Sequence, residues 1–126
     1  MRVEWDMKLG FKDVMIRPKR SSLKSRSQVD LNRSYRFKHS KKVWTGVPII
    51  AANMDGVGTF SMVKTLSNFS CLTALHKHYS VQEWQDFIDT AKKNNIIDSF
   101  MLSTGILERD YDKLGCLLGF HPEINF

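Results

Sequence analysis

The stretch GVPIIAANMDGVGT, residues 46–59, decides the fold class of this chain. Its first part, Val47 to Ala52, is apolar throughout, which is typical of a strand buried on both faces of a parallel sheet. A polar and glycine-rich part, Asn53 to Gly58, follows, and Thr59 is suited to cap a helix. Ligands bind at the carboxyl ends of strands in α/β proteins. Residues 53–58 are therefore a candidate site, although an ordinary turn has the same composition.

The same order of buried strand, polar loop and amphipathic helix recurs twice along the chain. Cys71 to Leu75 is nearly all apolar, and Ile96 to Leu102 holds a further strand. Ser80 with Glu83 forms a capping-box pattern that predicts a helix from Val81. Repeated βα units of this kind predict a parallel sheet. We therefore expect three adjacent parallel strands, each followed by a helix, near residues 48–52, 72–75 and 100–102.

Apolar residues at helical spacing predict which faces of these helices are buried. Each face is expected to pack on the sheet. The three sets are Met62, Val63, Leu66 and Phe69; Trp84, Phe87, Ile88 and Ala91; and Leu107, Tyr111, Leu114 and Leu118.

Positive charge is concentrated at the amino end of the chain. The formal charge is +6, yet residues 1–45 hold 13 of the 19 Lys and Arg residues and four of the 13 Asp and Glu residues, so they carry +9 and the remainder −3. Within them, Val14 to Ile16 predicts a short strand, and Tyr35 to Lys38 with Val43 to Thr45 predicts a β-hairpin. We interpret these basic residues as a solvated surface. In the alternative interpretation, the chain is a basic protein that binds nucleic acid through the residues from Tyr35 to Trp44.

Several function classes find no support in the sequence. Cys71 and Cys116 form no Cys-x-x-Cys pair, so they are interpreted as plain thiols in or near the core. His76 and His78 are two residues apart and share one side of an extended chain, but no third ligand of known spacing accompanies them, and we predict no metal site. The chain shows no signal peptide and no run of about 18 apolar residues, which favours a cytoplasmic protein without a membrane span.

Four motifs are similar to the amino-terminal part of a known enzyme family. They are GFKDVMIRPKR at 10–20, PIIAANMD at 48–55, VGTF at 57–60 and HKHYS at 76–80. In sequence and in spacing they resemble the GMP reductases of the IMP dehydrogenase/GMP reductase family, over nearly the whole chain. One position departs from the family pattern: Gly56 stands where the family usually has Thr, so no hydroxyl contact is expected there.

The resemblance implies an α/β fold, the (β/α)8 TIM barrel. A complete barrel needs roughly 250 residues, so the 126 residues are interpreted as its amino-terminal part. We expect residues 1–45 to form a basic extension, with the β-hairpin, that packs on the barrel. Residues 46–126 are expected to supply the first three βα units.

The resemblance also implies an activity, the NADPH-dependent reductive deamination of GMP to IMP and ammonia in purine nucleotide metabolism. In the family a cysteine thiolate attacks C2 of the guanine ring, and this cysteine lies on a glycine-rich loop that binds a potassium ion. Neither Cys71 nor Cys116 lies in such a loop. We therefore name no catalytic residue and expect this chain to be inactive by itself.

Three residues match family contacts to the cofactor. Lys77, in HKHYS, and the pair Ser25 and Arg26 are expected to bind NADPH in a site shared with a neighbouring subunit of a homotetramer. An arginine fork and a hydroxyl suit the 2′-phosphate that distinguishes NADPH from NADH. By pattern alone, Ser25 and Arg26 are also compatible with an ordinary polar loop.

Three alternatives remain open. The first is an IMP dehydrogenase that lacks its regulatory insert, because residues 92–98 join the second helix to the third strand directly and leave no room for that insert. The others are a non-catalytic remnant of a reductase gene and the basic nucleic-acid-binding protein described above. The motif match explains the same residues with fewer assumptions, so nucleic acid is not the expected partner.

Overall fold

The computed structural model describes residues 4–122 and residue 124, and the chain divides into two compact units between Asp30 and Leu31. The first unit contains two short 3-10 turns, Phe11–Asp13 and Arg26–Gln28. The strand predicted at residues 14–16 is wrong, because this segment makes no ladder with another strand in the described part of the chain and its side chains are exposed. The predicted boundary after residue 45 stays a prediction.

The second unit begins with a β-hairpin, as predicted. Strand β1, Arg33–Arg36, pairs in antiparallel fashion with β2, Val43–Gly46, and Tyr35 lies opposite Trp44. The two rings stack with centroids 6.5 Å apart. Across the same pair of strands the Ser34 and Thr45 hydroxyls are hydrogen-bonded at 2.7 Å. Cross-strand pairs of these kinds stabilise a hairpin by roughly 0.2–1 kcal/mol each.

Three parallel strands form the sheet that carries the candidate site. They are β3, Ile50–Ala51, β4, Leu72–Leu75, and β5, Phe100–Leu102, in that spatial order. Ile50 lies opposite Leu72, and Thr73 lies opposite Phe100, so the predicted parallel and adjacent arrangement is confirmed. Strand β3 is shorter than the predicted residues 48–52. At its amino end, Pro48 has no N–H for a ladder and the Ile49 N–H donates to Val47 O, two residues earlier.

Three helices follow these strands, which gives a mixed α/β fold. Helix α1, Phe60–Ser67, is capped by Thr59, whose hydroxyl accepts a hydrogen bond from the Met62 N–H at 3.2 Å. Helix α2, Val81–Lys93, begins with the predicted capping box and ends where Asn95 adopts a left-handed φ of 54°. Helix α3 spans Glu108–Phe120.

The core lies between the sheet and the helices. Phe100 and Leu75, from neighbouring strands, are fully buried in it, and all four predicted residues of α2 are buried there as well. The core is formed by Val63, Leu75, Trp84, Phe87, Ile88, Ala91, Phe100, Leu117 and Ile124.

Two predicted helix faces need correction. Phe69 lies after the end of α1 and is 65% exposed, so it takes no part in the face that buries Val63. In α3 the buried residue is Leu117. Of the predicted set, Leu107 precedes the helix and is exposed, and Tyr111 and Leu118 are exposed as well. Helical spacing alone does not separate two adjacent apolar rows on one helix, and the packing of α3 selects the row that contains Leu117.

Candidate cofactor site at the carboxyl ends of the strands

Three loops meet at the carboxyl edge of the sheet, at residues 52–59 after β3, 76–80 after β4 and 103–107 after β5. The first two loops are joined by a backbone hydrogen bond of 3.0 Å from the His76 N–H to Gly58 O. Gly58 is required at this junction, because a Cβ atom there would lie 2.2 Å from Ala74 O and 2.9 Å from Ala52 O. The absence of a side chain therefore allows the first loop to lie against the end of β4.

The two histidines of HKHYS have different surroundings. His76 is buried, and its ring stacks on Tyr79 at 4.2 Å, while Tyr79 stacks on Phe60 at 3.7 Å. His78 is exposed, and its Nε2 lies 3.5 Å from Asp55 Oδ1. Within residues 4–122 and 124, no group of three His, Cys, Asp or Glu side chains could hold a metal ion. His76 is therefore held by stacking within its own loop, and His78 lies beside Asp55 of the loop after β3.

Lys77 lies between these histidines and turns towards α3. Its Nζ lies 3.2 Å from Asp110 Oδ2, and the two side chains are 39% and 14% exposed. Gly105 borders the pair closely, since a Cβ atom at this position would lie 1.9 Å from Asp110 Oδ2 and 2.5 Å from Lys77 Nζ. A larger residue at 105 would push the ion pair apart. The third loop thus lies directly against the Lys77–Asp110 pair.

The surroundings of Asp110 favour its charged form. Desolvation raises the pKa of this carboxyl, but the hydrogen bond from Lys77, the hydrogen bond from the Leu107 N–H and the nearby positive charges of Lys77 and Arg109 together outweigh it. The resulting pKa lies below its ordinary value of 3.8. Asp110 is therefore an anion at neutral pH and a permanent partner for the Lys77 ammonium group.

A second lysine of α3, Lys113, contacts the backbone of the loop after β4. Its Nζ donates a hydrogen bond of 2.6 Å to Lys77 O and another hydrogen bond to Tyr79 O. Burial lowers the pKa of the Lys113 amine, while the charges of Asp110 and Glu83 act in the opposite direction. Sequence analysis missed Asp110 and Lys113. Asp110 and Lys113 are three residues apart and therefore lie on one face of the helix, and this spacing could have identified them as a charged pair.

The space between these groups is small. A cavity of about 20 Å³ lies among Lys77, Asp110, Lys113 and Trp84, large enough for about one water molecule. A nucleotide-sized ligand needs a pocket of several hundred Å³. Any cofactor contact of Lys77 must therefore be made on the exposed side of its side chain.

The comparisons with known proteins agree with these motifs. The model of the IMP dehydrogenase / GMP reductase domain matches residues 8–116. The chain belongs to the IMP dehydrogenase/GMP reductase family. It is 57% identical over all 126 residues to the GMP reductases of Shigella boydii serotype 18 (strain CDC 3083-94 / BS512) and Escherichia coli (strain K12 / DH10B). The chain spans 36% of the length of each of these relatives.

Two of the three predicted cofactor residues lie in the first unit of this family member. Ser25 caps the turn Arg26–Gln28, since its Oγ accepts a hydrogen bond of 3.3 Å from the Ser27 N–H. Arg26 is exposed. The turn therefore holds the hydroxyl of Ser25 in place beside an accessible guanidinium group. Their association with Lys77 in one site stays a prediction.

Gly56, which departs from the family pattern, lies in an open part of the loop after β3. No atom lies within 4 Å of the position that its Cβ would occupy, and no glycine among the described residues has a positive φ. The loop therefore does not require glycine here, and the threonine usual in the family would fit.

Among the described residues, no helix is long and apolar enough to cross a membrane.

Proposed function

We propose that this chain is the amino-terminal part of a GMP reductase, an NADPH-dependent oxidoreductase that converts GMP to IMP and ammonia. The identity of 57% over the whole chain to proteins named GMP reductase carries the proposal. Three consecutive parallel βα units are the arrangement with which a (β/α)8 barrel begins. We propose further that the complete protein is a cytoplasmic homotetramer and that a loop outside this chain binds a potassium ion.

The role of this chain in that enzyme is to help bind NADPH, which supplies the hydride. Lys77, Arg26 and Ser25 are suited to hold its phosphate groups, because two cations and a hydroxyl donate charge-assisted hydrogen bonds to phosphate oxygens. Lys77 is partly exposed at the carboxyl edge of the sheet, and among the described residues Asp110 Oδ2 is the acceptor that its ammonium contacts, at 3.2 Å. An ammonium has three donor hydrogens, so donors remain for an anionic ligand.

The thiols of this chain do not supply the nucleophile. Cys71 is buried immediately before β4, at the amino edge of the sheet, and Cys116 is exposed on α3. Neither lies in the loops at the carboxyl edge where the substrate would bind. A covalent route needs a thiolate held beside the purine C2. We therefore expect the 126 residues alone not to reduce GMP.

A full-length hybrid tests the proposal, with this chain in place of the matching segment of the E. coli relative. The hybrid should reduce GMP with NADPH. Lys77→Ala and Arg26→Ala should each raise the KM for NADPH by about 10- to 150-fold, since each removes a charge-assisted contact worth about 1.5–3 kcal/mol. Lys93→Ala, at the exposed end of α2, is the matched control and should leave the KM unchanged.

Two results would refute this function. One is a folded hybrid that oxidises IMP with NAD and does not reduce GMP, which would identify a dehydrogenase. The other is a KM for NADPH that neither Lys77→Ala nor Arg26→Ala alters, which would remove the cofactor role from this chain.

A further inference from the structure

We infer that Lys113 is a positioning residue for Lys77, fixing the main chain from which Lys77 reaches the cofactor. This inference rests on the proposed function, because it concerns the same NADPH contact. Lys113 lies on α3, 36 residues beyond Lys77 in the chain, and its side chain crosses to the loop after β4. The contact thus joins two successive βα units at the candidate site.

The anchor acts on the backbone on both sides of His78. One Nζ atom donates to Lys77 O and to Tyr79 O, so it fixes the orientation of both peptide groups. A lysine ammonium has three donor hydrogens and serves both carbonyls at once. Without it, two partly buried carbonyl groups would lose their hydrogen-bond partner, at a cost to the local conformation.

Apart from those of Lys113, the main-chain hydrogen bonds that join this loop to other elements lie at its two ends. At the start, the His76 N–H donates to Gly58 O at 3.0 Å. At the end, the Ser80 N–H donates to Glu83 Oε2 at 2.7 Å, within the capping box of α2. Among the described residues, Lys113 is the side chain of another element that hydrogen-bonds the main chain between these two points.

Asp110 complements Lys113 from one turn earlier on α3. Lys113 holds the main chain of residue 77, while Asp110 holds the end of its side chain at 3.2 Å. The main chain of Lys77 and the end of its side chain are therefore both held by α3. The ammonium group is oriented before any ligand binds. Such pre-organisation lowers the entropic cost of binding, since less freedom is lost when the contact forms.

A positioning role and a simple charge effect predict different behaviour. Loss of the Lys113 charge would weaken phosphate binding through the electric field alone, and salt would screen that effect, because the Debye length falls from about 10 Å at 0.1 M to about 3 Å at 1 M. Loss of the backbone anchor would persist at high salt. Lys113→Gln, which removes the charge and keeps a donor group, separates the two causes further.

The first experiment uses the 126-residue chain and amide hydrogen exchange. Lys113→Met keeps the length of the side chain and removes its donors. It should speed exchange of the hydrogen-bonded His78 and Ser80 amides by about tenfold or more, and it should leave the amides of β4 unchanged. Lys93→Met is the matched control. Unchanged exchange at His78 and Ser80 would overturn the anchor.

The second experiment uses the full-length hybrid. Lys113→Met should raise the KM for NADPH by about 5- to 30-fold at both 0.1 M and 1 M salt, relative to the unchanged hybrid in each buffer. The ammonia released from GMP without cofactor should stay within twofold. Lys113→Arg, which keeps charge and several donors, should restore most of the affinity. If Lys113→Met does not yield folded protein, Lys113→Leu, which also removes every donor, carries the same measurement.

The outcomes separate this inference from the proposed function. If Lys77→Ala raises the KM and Lys113→Met does not, the positioning role is refuted and the cofactor role stands. If the effect of Lys113→Met disappears at 1 M salt, its cause is charge and not position. If Lys77→Ala itself has no effect, the cofactor role fails, and hydrogen exchange alone then decides whether Lys113 anchors the loop.

Discussion

Replacement of Gly58 by alanine is the most direct perturbation of the candidate site. The added Cβ would lie 2.2 Å from Ala74 O, a backbone atom of the central strand, so no side chain can move aside to relieve the contact. Overpacking by one methyl group costs about 1–3 kcal/mol. Separating the loop from β4 would also break the hydrogen bond of 3.0 Å from the His76 N–H to Gly58 O, worth about 0.5–1.5 kcal/mol.

Together these effects predict a loss of about 1.5–4.5 kcal/mol in the free energy of unfolding for Gly58→Ala. Urea denaturation followed by circular dichroism measures it. Gly56→Ala is the matched control two residues away, because no atom lies within 4 Å of its Cβ position, and it should change stability by less than about 0.5–1 kcal/mol. Equal stability of the Gly58→Ala and Gly56→Ala variants would refute the close approach of this loop to β4.

Four further predictions concern the core and the cap of α2. Phe100→Ala should lower the free energy of unfolding by about 3–5 kcal/mol in urea denaturation, because Phe100 is fully buried. Phe69→Ala, at a 65% exposed position, is the control and should lower it by less than about 0.5 kcal/mol. Similar losses for the two variants would contradict the assigned core. Ser80→Ala should cost about 1 kcal/mol by removing the cap. Hydrogen bonds from the Ser80 backbone and side chain lower the pKa of Glu83 below its ordinary 4.5. The stability that this carboxylate contributes is therefore complete above pH 4.5 and is lost as the pH falls through the lower pKa of the folded state. In a denaturation series from pH 7 to pH 3, Glu83→Gln should lose less stability in acid than the unchanged chain, and an identical loss would exclude the effect. Thr73→Val should be neutral or stabilising by up to about 1 kcal/mol, since the buried Thr73 hydroxyl has no protein partner among the described residues, and a clear loss by calorimetry would show that it has a partner after all.

Local patterns were sufficient to predict much of the fold. The second helix could be located from Ser80 and Glu83, because a capping box is formed by residues three apart and depends on nothing distant. Strands β4 and β5 have the predicted bounds because their apolar runs are flanked by polar residues. The buried face of α3 could not be predicted, since Leu117 and Leu118 are both apolar and only tertiary packing decides between them.

The candidate site was predictable only in part, because some of its contacts join a side chain to the main chain. Lys77 belongs to a recognisable motif, so its position at the end of β4 could be predicted. Lys113 could not, because its partners are the carbonyl oxygens of Lys77 and Tyr79, and every residue has a carbonyl oxygen. Sequence patterns identify interactions between side chains much better than interactions of a side chain with the backbone.

The register of the parallel sheet also has a consequence for the order of folding during synthesis. Ile50 pairs with Leu72 across 72 − 50 = 22 residues, and Thr73 pairs with Phe100 across 100 − 73 = 27 residues. At about 5–20 residues per second, the ribosome delivers Phe100 about 1–5 s after Thr73, which is far longer than a short chain needs to close such a loop. Synthesis of α2 is completed within that interval, so Trp84 and Ile88, which share the core with Leu75, exist before Phe100 does. The helix between the strands therefore shields the growing sheet before its next strand exists.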